Sequence, residues 1–147
     1  MKNKTETKTT LDRMIDVACG AIRPESDLRE HRDTRRQTLH TSAALVQLMS
    51  DGGKSIPTVV QTVDFSPGGL RIISRYMLHV GYHGAILLER ANREHVLFGV
   101  RIAHCNNAGH MRHESGLAFT GHLHGISIED FRDEHGKLPG LQGLHAA

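Results

Sequence analysis

Short apolar segments separated by turn-forming residues recur through the middle of this chain, and their recurrence limits the folds it can adopt. Residues 38–48 alternate in a mostly period-two pattern, which is typical of a β-strand with one buried face. Further segments of strand-like length follow at close spacing, at residues 56–63, 70–74, 84–88, 96–104 and finally 116–119. Turn residues lie between them, as in Asp51-Gly52-Gly53 and Asn106-Asn107-Ala108-Gly109. The pattern predicts a mainly β protein, either a small closed barrel or a sandwich.

Both ends of the chain have a different character. Leu11, Met14, Ile15 and Ala18 form an apolar stripe at helical spacing, and Gly20 stands where a helix would end, so a short N-terminal helix is predicted. Residues 127–132 begin with a serine suited to capping, which predicts a C-terminal helix. We therefore divide the chain into an N-terminal extension at 1–28, a β domain at 29–128, and a C-terminal helix and tail at 129–147.

The composition narrows the class of protein. The 147 residues are 38% apolar and 23% charged, with a net charge of +2, which fits one folded domain. So small a charge does not favour bulk adhesion to DNA, RNA or a membrane surface. Cys19 and Cys105 match no zinc spacing and form no disulfide framework. With no signal-peptide pattern and no run near the roughly 20 apolar residues of a membrane span, a cytoplasmic protein without membrane insertion is expected.

A basic segment precedes the first predicted strand. Four arginines fall within eight positions, namely Arg29, Arg32, Arg35 and Arg36. A guanidinium group is permanently charged, directs paired donors toward phosphate oxygens or a guanine edge, and can stack on a purine. Alternatively, the segment is a solvated surface in which Glu30 and Asp33 pair with the arginines.

A polar turn interrupts the apolar segments at residues 64–69. Asp64 can accept hydrogen bonds from the N–H groups of a guanine, and Ser66 can donate or accept. Gly68 and Gly69 would permit positive φ and a close approach of a ligand to the backbone. Alternatively, this is an ordinary hairpin turn whose polar side chains bond the local backbone.

Together the two segments resemble the PilZ domain, a bacterial receptor module for cyclic di-GMP. The resemblance lies in an Arg-x-x-x-Arg motif, Arg32 to Arg36, followed about thirty residues later by an Asp-x-Ser-x-x-Gly motif, Asp64 to Gly69. It covers roughly residues 29 to 128. It implies a six-stranded antiparallel β-barrel with the arginine segment folded over one mouth, toward the polar turn.

The resemblance also implies the ligand-binding residues. Arg32 and Arg36 would engage phosphate and guanine of cyclic di-GMP, whereas Asp64, Ser66 and Gly69 would hold a guanine. Arg35 is a further candidate for stacking or phosphate contact. The chain departs from the family pattern at Arg35, which is often Pro or aromatic there, and at Gln37, which is usually apolar. His31 leaves open whether one or two ligands bind.

The chemistry of such a site is that of a switch. Arginines that repel one another would be ordered by a ligand with two phosphates. No pairing of a base with a nucleophile is evident, so we expect a receptor and not an enzyme, with no cofactor besides its ligand. It would signal by contact to a protein partner that the sequence does not identify, as a monomer or weak dimer, in the control of motility, exopolysaccharide or biofilm.

Twelve histidines are the other unusual feature. Close pairs occur at His79/His83, His110/His113 and His122/His124, but no cysteine lies at zinc spacing from them, so no metal site is expected. Two alternatives to the receptor remain. One is a PilZ-like interaction module that does not bind the nucleotide, and the other is a histidine-rich metalloenzyme.

Overall fold

The structure, a computed structural model, describes residues 12–13, 15–16 and 36–141, and they form a mainly β protein. The strands are β1 Gln37–Thr38, β2 Ser42–Gln47, β3 Thr58–Ser66, β4 Gly69–Ser74, β5 His83–Glu89, β6 His95–Gly109 and β7 Arg112–Phe119. No helix within these residues is both long and apolar enough to cross a membrane.

Six of the strands close into a barrel. They are hydrogen-bonded in the order β3-β2-β5-β6-β7-β4, and β4 pairs back onto β3. Every pairing is antiparallel. Closure satisfies the edges that short strands would otherwise expose. The predicted six-stranded antiparallel barrel is thus confirmed.

Strand β1 lies outside this closed ring and continues the line of β2 along β3. Gln37 and Thr38 pair with Phe65 and Asp64, so Arg36, the residue before them, lies near the end of β3. The side chain of Thr62 bridges the interruption between β1 and β2, since its hydroxyl donates to the Leu39 carbonyl at 2.6 Å and accepts from the Thr41 amide at 2.9 Å. These side-chain bonds satisfy backbone groups where strand pairing lapses.

The main core fills the barrel. It is built from aliphatic residues of alternating strand positions, with Leu45, Ile86, Val100 and Ile102 almost fully buried. Phe119 packs against both Phe65 and Phe98, at ring-centroid distances of 5.7 and 4.9 Å. The three phenylalanines therefore contribute to the core.

A second apolar layer covers the outer face of β2 and β5. The residues after β7 cross this face and bury Ile126, Phe131 and Leu141 against small and branched side chains of the two strands, including Ala44, Val46, Ala85 and Leu87. The predicted C-terminal helix is reduced to a 3-10 helix, Ile128–Phe131, which Ser127 caps as anticipated. It is short because Phe131 and apolar residues after it pack on the barrel.

Two further predictions concern the turn between β6 and β7 and the N-terminal helix. The hairpin between β6 and β7 turns at His110 and Met111, both with positive φ, and not at residues 106–109. The asparagines are held in β6 because they pair with β7. Of the predicted N-terminal helix, residues 12–13 and 15–16 are helical, with Ile15 buried in the barrel core, and the remainder lies outside the described residues.

Candidate functional site

The polar motif forms the tip of the β3–β4 hairpin. Its turn is Pro67–Gly68, and counting outward from it pairs Ser66 with Gly69, Phe65 with Leu70, and Asp64 with Arg71. Phe65 and Leu70 point into the barrel core. Because side chains alternate along a strand, Asp64 and Arg71 project from the outer face. A bulge in β3 between Thr62 and Asp64 sets this alternation.

Two arginines bind the Asp64 carboxylate from different directions. Arg36 donates from Nη1 to Oδ1 at 2.7 Å. Arg71 donates to Oδ2 from both Nε and Nη2, at 2.8 and 2.5 Å. The Asp64 side chain is only 10% exposed, so direct pairing with the two arginines is the main compensation of its charge.

A fourth charged residue extends this network across the barrel wall. Glu114 on β7 accepts a hydrogen bond from Arg71 Nη1 through Oε2 at 2.5 Å. We call Arg36, Asp64, Arg71 and Glu114 the ion-pair row, in which positive and negative groups alternate. Its formal charges cancel, and the two arginines remain 50% and 37% exposed at the surface.

The electrostatics of the row keep Asp64 ionised. Burial alone would raise the pKa of Asp64, but the hydrogen bonds and charges of Arg71 and Arg36 outweigh it and hold this pKa below its ordinary value. The hydrogen bond to Asp64 likewise raises the pKa of Arg71. Asp64 is therefore an acceptor without a proton at neutral pH.

The pairing of β1 with β3 explains how the two motifs meet. Arg36 immediately precedes β1, whose two residues pair with Phe65 and Asp64. Arg36, the last arginine of the basic segment, thus lies beside the polar turn. Arg32 and Arg35 lie outside the described residues, so their assignment stays a prediction.

The glycine of the motif has a steric role. A Cβ on Gly69 would lie 2.1 Å from the carbonyl oxygen of Leu117, because β7 approaches β4 closely at this point. Neither Gly68 nor Gly69 has a positive φ, although glycine would permit it at either position. The Ser66 hydroxyl donates only a long hydrogen bond, 3.4 Å, to the Gly69 carbonyl, and is available for another partner.

The site therefore unites four of the predicted residues, Arg36, Asp64, Ser66 and Gly69, and adds two that sequence reasoning missed. Arg71 could have been found, because a two-residue turn at 67–68 places it directly opposite Asp64. Glu114 has no local signal, since its approach depends on the pairing of β4 with β7.

The histidines form a separate cluster on another part of the barrel. The His124 ring lies 4.5 Å from that of His83 and 5.8 Å from that of His122. Burial, followed by the charges of His124, Arg101 and His122, lowers the pKa of His83. Among the described residues, no three histidine, cysteine or acidic side chains converge in a way that could hold a metal ion.

Comparison with known proteins gives no match, either to a protein-family model or to a curated protein.

Proposed function

We propose that this protein is a cytoplasmic receptor that binds cyclic di-GMP on the outer face of the β3–β4 hairpin and signals to a protein partner without catalysing a reaction. The observation that carries the proposal is the 2.7 Å contact between Arg36 and Asp64. It brings together, on the barrel surface, the two motifs by which the chain resembles the PilZ domain.

The chemistry of the site suits a guanine nucleotide. An ionised Asp64 can accept a hydrogen bond from guanine N1–H or N2–H₂, since a carboxylate oxygen is an acceptor without a proton. The Ser66 hydroxyl lies two residues along the same strand and has only its long bond to Gly69. Arg36 is half exposed and can direct its donors to phosphate or to the guanine O6/N7 edge.

Charge balance indicates what the basic segment would add. The formal charges of the ion-pair row cancel, whereas cyclic di-GMP carries two phosphates. Further positive charge is needed to bind it tightly, and under this proposal Arg32 and Arg35 supply it.

A second candidate function is a barrel that contacts proteins but does not bind the nucleotide. One observation favours it: both oxygens of Asp64 already have arginine partners within the protein. In that case the motif serves to stabilise the hairpin, and the ligand would find no vacant acceptor.

Isothermal titration with cyclic di-GMP separates the two candidates. The receptor predicts saturable binding at micromolar concentrations that Arg36→Ala greatly weakens. A matched control is Arg132→Ala, because Arg132 is also an exposed arginine in an ion pair but lies after the 3-10 helix. GTP and cyclic di-AMP serve as ligand controls. No saturation with the folded wild-type protein would leave the interaction module as the better account.

A further inference from the structure

We propose that Arg71, anchored by Glu114, is the positioning residue that turns Oδ1 of Asp64 toward the ligand, and that Arg36 covers this oxygen until the ligand replaces it. This inference rests on the proposed function, since it assigns roles within the same site.

The two oxygens of Asp64 are held unequally. Oδ2 accepts two hydrogen bonds from Arg71, whose planar group can bind a carboxylate only in a restricted orientation. Oδ1 accepts one bond, from Arg36. The contact at Oδ1 is therefore the one that an incoming donor can replace without turning the carboxylate.

The three residues that stay in place and the arginine that exchanges also differ in the secondary structure that holds them. Asp64, Arg71 and Glu114 stand on β3, β4 and β7, which are neighbours in the closed barrel. Arg36 precedes the two-residue β1, outside that ring, and half of its side chain is exposed. A pair with so exposed a member contributes little net free energy, so its exchange is favourable for a ligand with good geometry.

The exchange keeps every group paired. A guanine N–H would donate to Oδ1 in place of Arg36, and the released guanidinium would donate to a phosphate oxygen of the same ligand. Arg36 and Arg71 are the charged groups that face Asp64 in the described part of the chain, and Glu114 faces Arg71. The contact between Glu114 and the rest of the site is therefore made through Arg71.

The direction in which a Glu114 substitution changes the affinity for the ligand tests this role. Removing a negative charge near an anionic ligand should strengthen binding by simple Coulomb attraction. A positioning role predicts the opposite, because Arg71 loses the acceptor that holds Nη1 and its hold on Asp64 loosens. The two effects differ in direction and not only in size.

The experiment is calorimetric titration of cyclic di-GMP into wild type, Glu114→Ala, Glu114→Gln and the control Glu129→Ala. Glu129 is an exposed acid that pairs with Arg132 instead of Arg71. We expect Glu114→Ala to weaken binding about tenfold, the effect of one hydrogen bond to a charged group. Glu114→Gln should restore most of the affinity, since its amide oxygen can still accept from Arg71, and Glu129→Ala should match wild type.

Equal or tighter binding by folded Glu114→Ala would overturn the inference while leaving the receptor intact. No binding by wild type would overturn the proposed function itself, and the ligand-facing role with it. A ligand-free measurement tests the anchor separately: the Arg71 Nε–H signal in NMR should shift and broaden in Glu114→Ala but not in Glu129→Ala. An unchanged signal means that Glu114 does not hold Arg71, whatever the ligand does.

Discussion

Asp64 and Arg71 face each other across the β3–β4 hairpin, and two nitrogens of the arginine donate to one oxygen of the carboxylate. The pair lies on the outer face of a closed barrel, where a nearly buried acid would otherwise be costly. This relationship makes the polar motif both a structural element of the hairpin and a preformed acceptor.

Arg71→Gln should destabilise the fold. Among the described residues, Asp64 would keep only Arg36 as a charged partner, so we expect a loss of about 1–3 kcal/mol in the free energy of unfolding, measured in urea. Arg75→Gln is the control, because Arg75 is exposed and lies just beyond the end of β4. Equal stability of the two variants would mean that the Asp64–Arg71 pair contributes no net free energy.

Acidification should remove the contribution of Asp64 to stability. Its pKa is lowered in the folded state, so below an unfolded pKa of about 3.9 the unfolded chain binds more protons. The stabilisation is complete above that pH and is lost as the pH falls through the folded pKa. The difference in unfolding free energy between wild type and Asp64→Asn should be full at neutral pH and shrink below about pH 4.

Asp130 does not confuse this comparison. The backbone of Ser127 is the main cause that lowers the pKa of Asp130, but this residue is present in both proteins and its contribution cancels. A difference between wild type and Asp64→Asn that stays constant down to about pH 3 would show that pairing does not stabilise the ionised form.

Gly69→Ala should be far more damaging than Gly68→Ala. The new methyl group at position 69 would overlap the Leu117 carbonyl, and such overpacking typically costs about 1–3 kcal/mol. At Gly68 a Cβ meets nothing within 4 Å and φ is not positive, so alanine should be neutral or slightly stabilising. Thermal unfolding of the pair measures this, and similar melting temperatures would contradict the close approach of β7.

His83 should titrate below its ordinary pKa of 6.5, mainly because it is partly buried and secondly because His124 faces it. Since the fold disfavours protonation of this base, its contribution to stability should decline as the pH falls below about 6.5. NMR titration of the imidazole measures the pKa, which His124→Gln should move upward, though not fully back, because burial persists. His95→Gln is the control, and a His83 pKa at or above 6.5 would refute the prediction.

Most of the strands could be predicted from local sequence patterns. Period-two alternation and turn residues depend only on near neighbours, so the strands and the capping serine at position 127 could be predicted. The turn between β6 and β7 could not, because the pairing of Asn106 and Asn107 with β7 overrides their preference for turns. The C-terminal helix failed for a similar reason, since packing of Phe131 on the barrel decided its length.

For the candidate site, the sequence by itself determined which residue types occur and that Asp64, Ser66 and Gly69 share a hairpin. It also contained the Asp64–Arg71 pairing, because a two-residue turn defines its own register. Only the tertiary structure decided that Arg36, 28 residues before Asp64, reaches its Oδ1, and that Glu114, 43 residues after Arg71, completes the row. These contacts arise from strand pairing and barrel closure, which join segments that no local pattern relates.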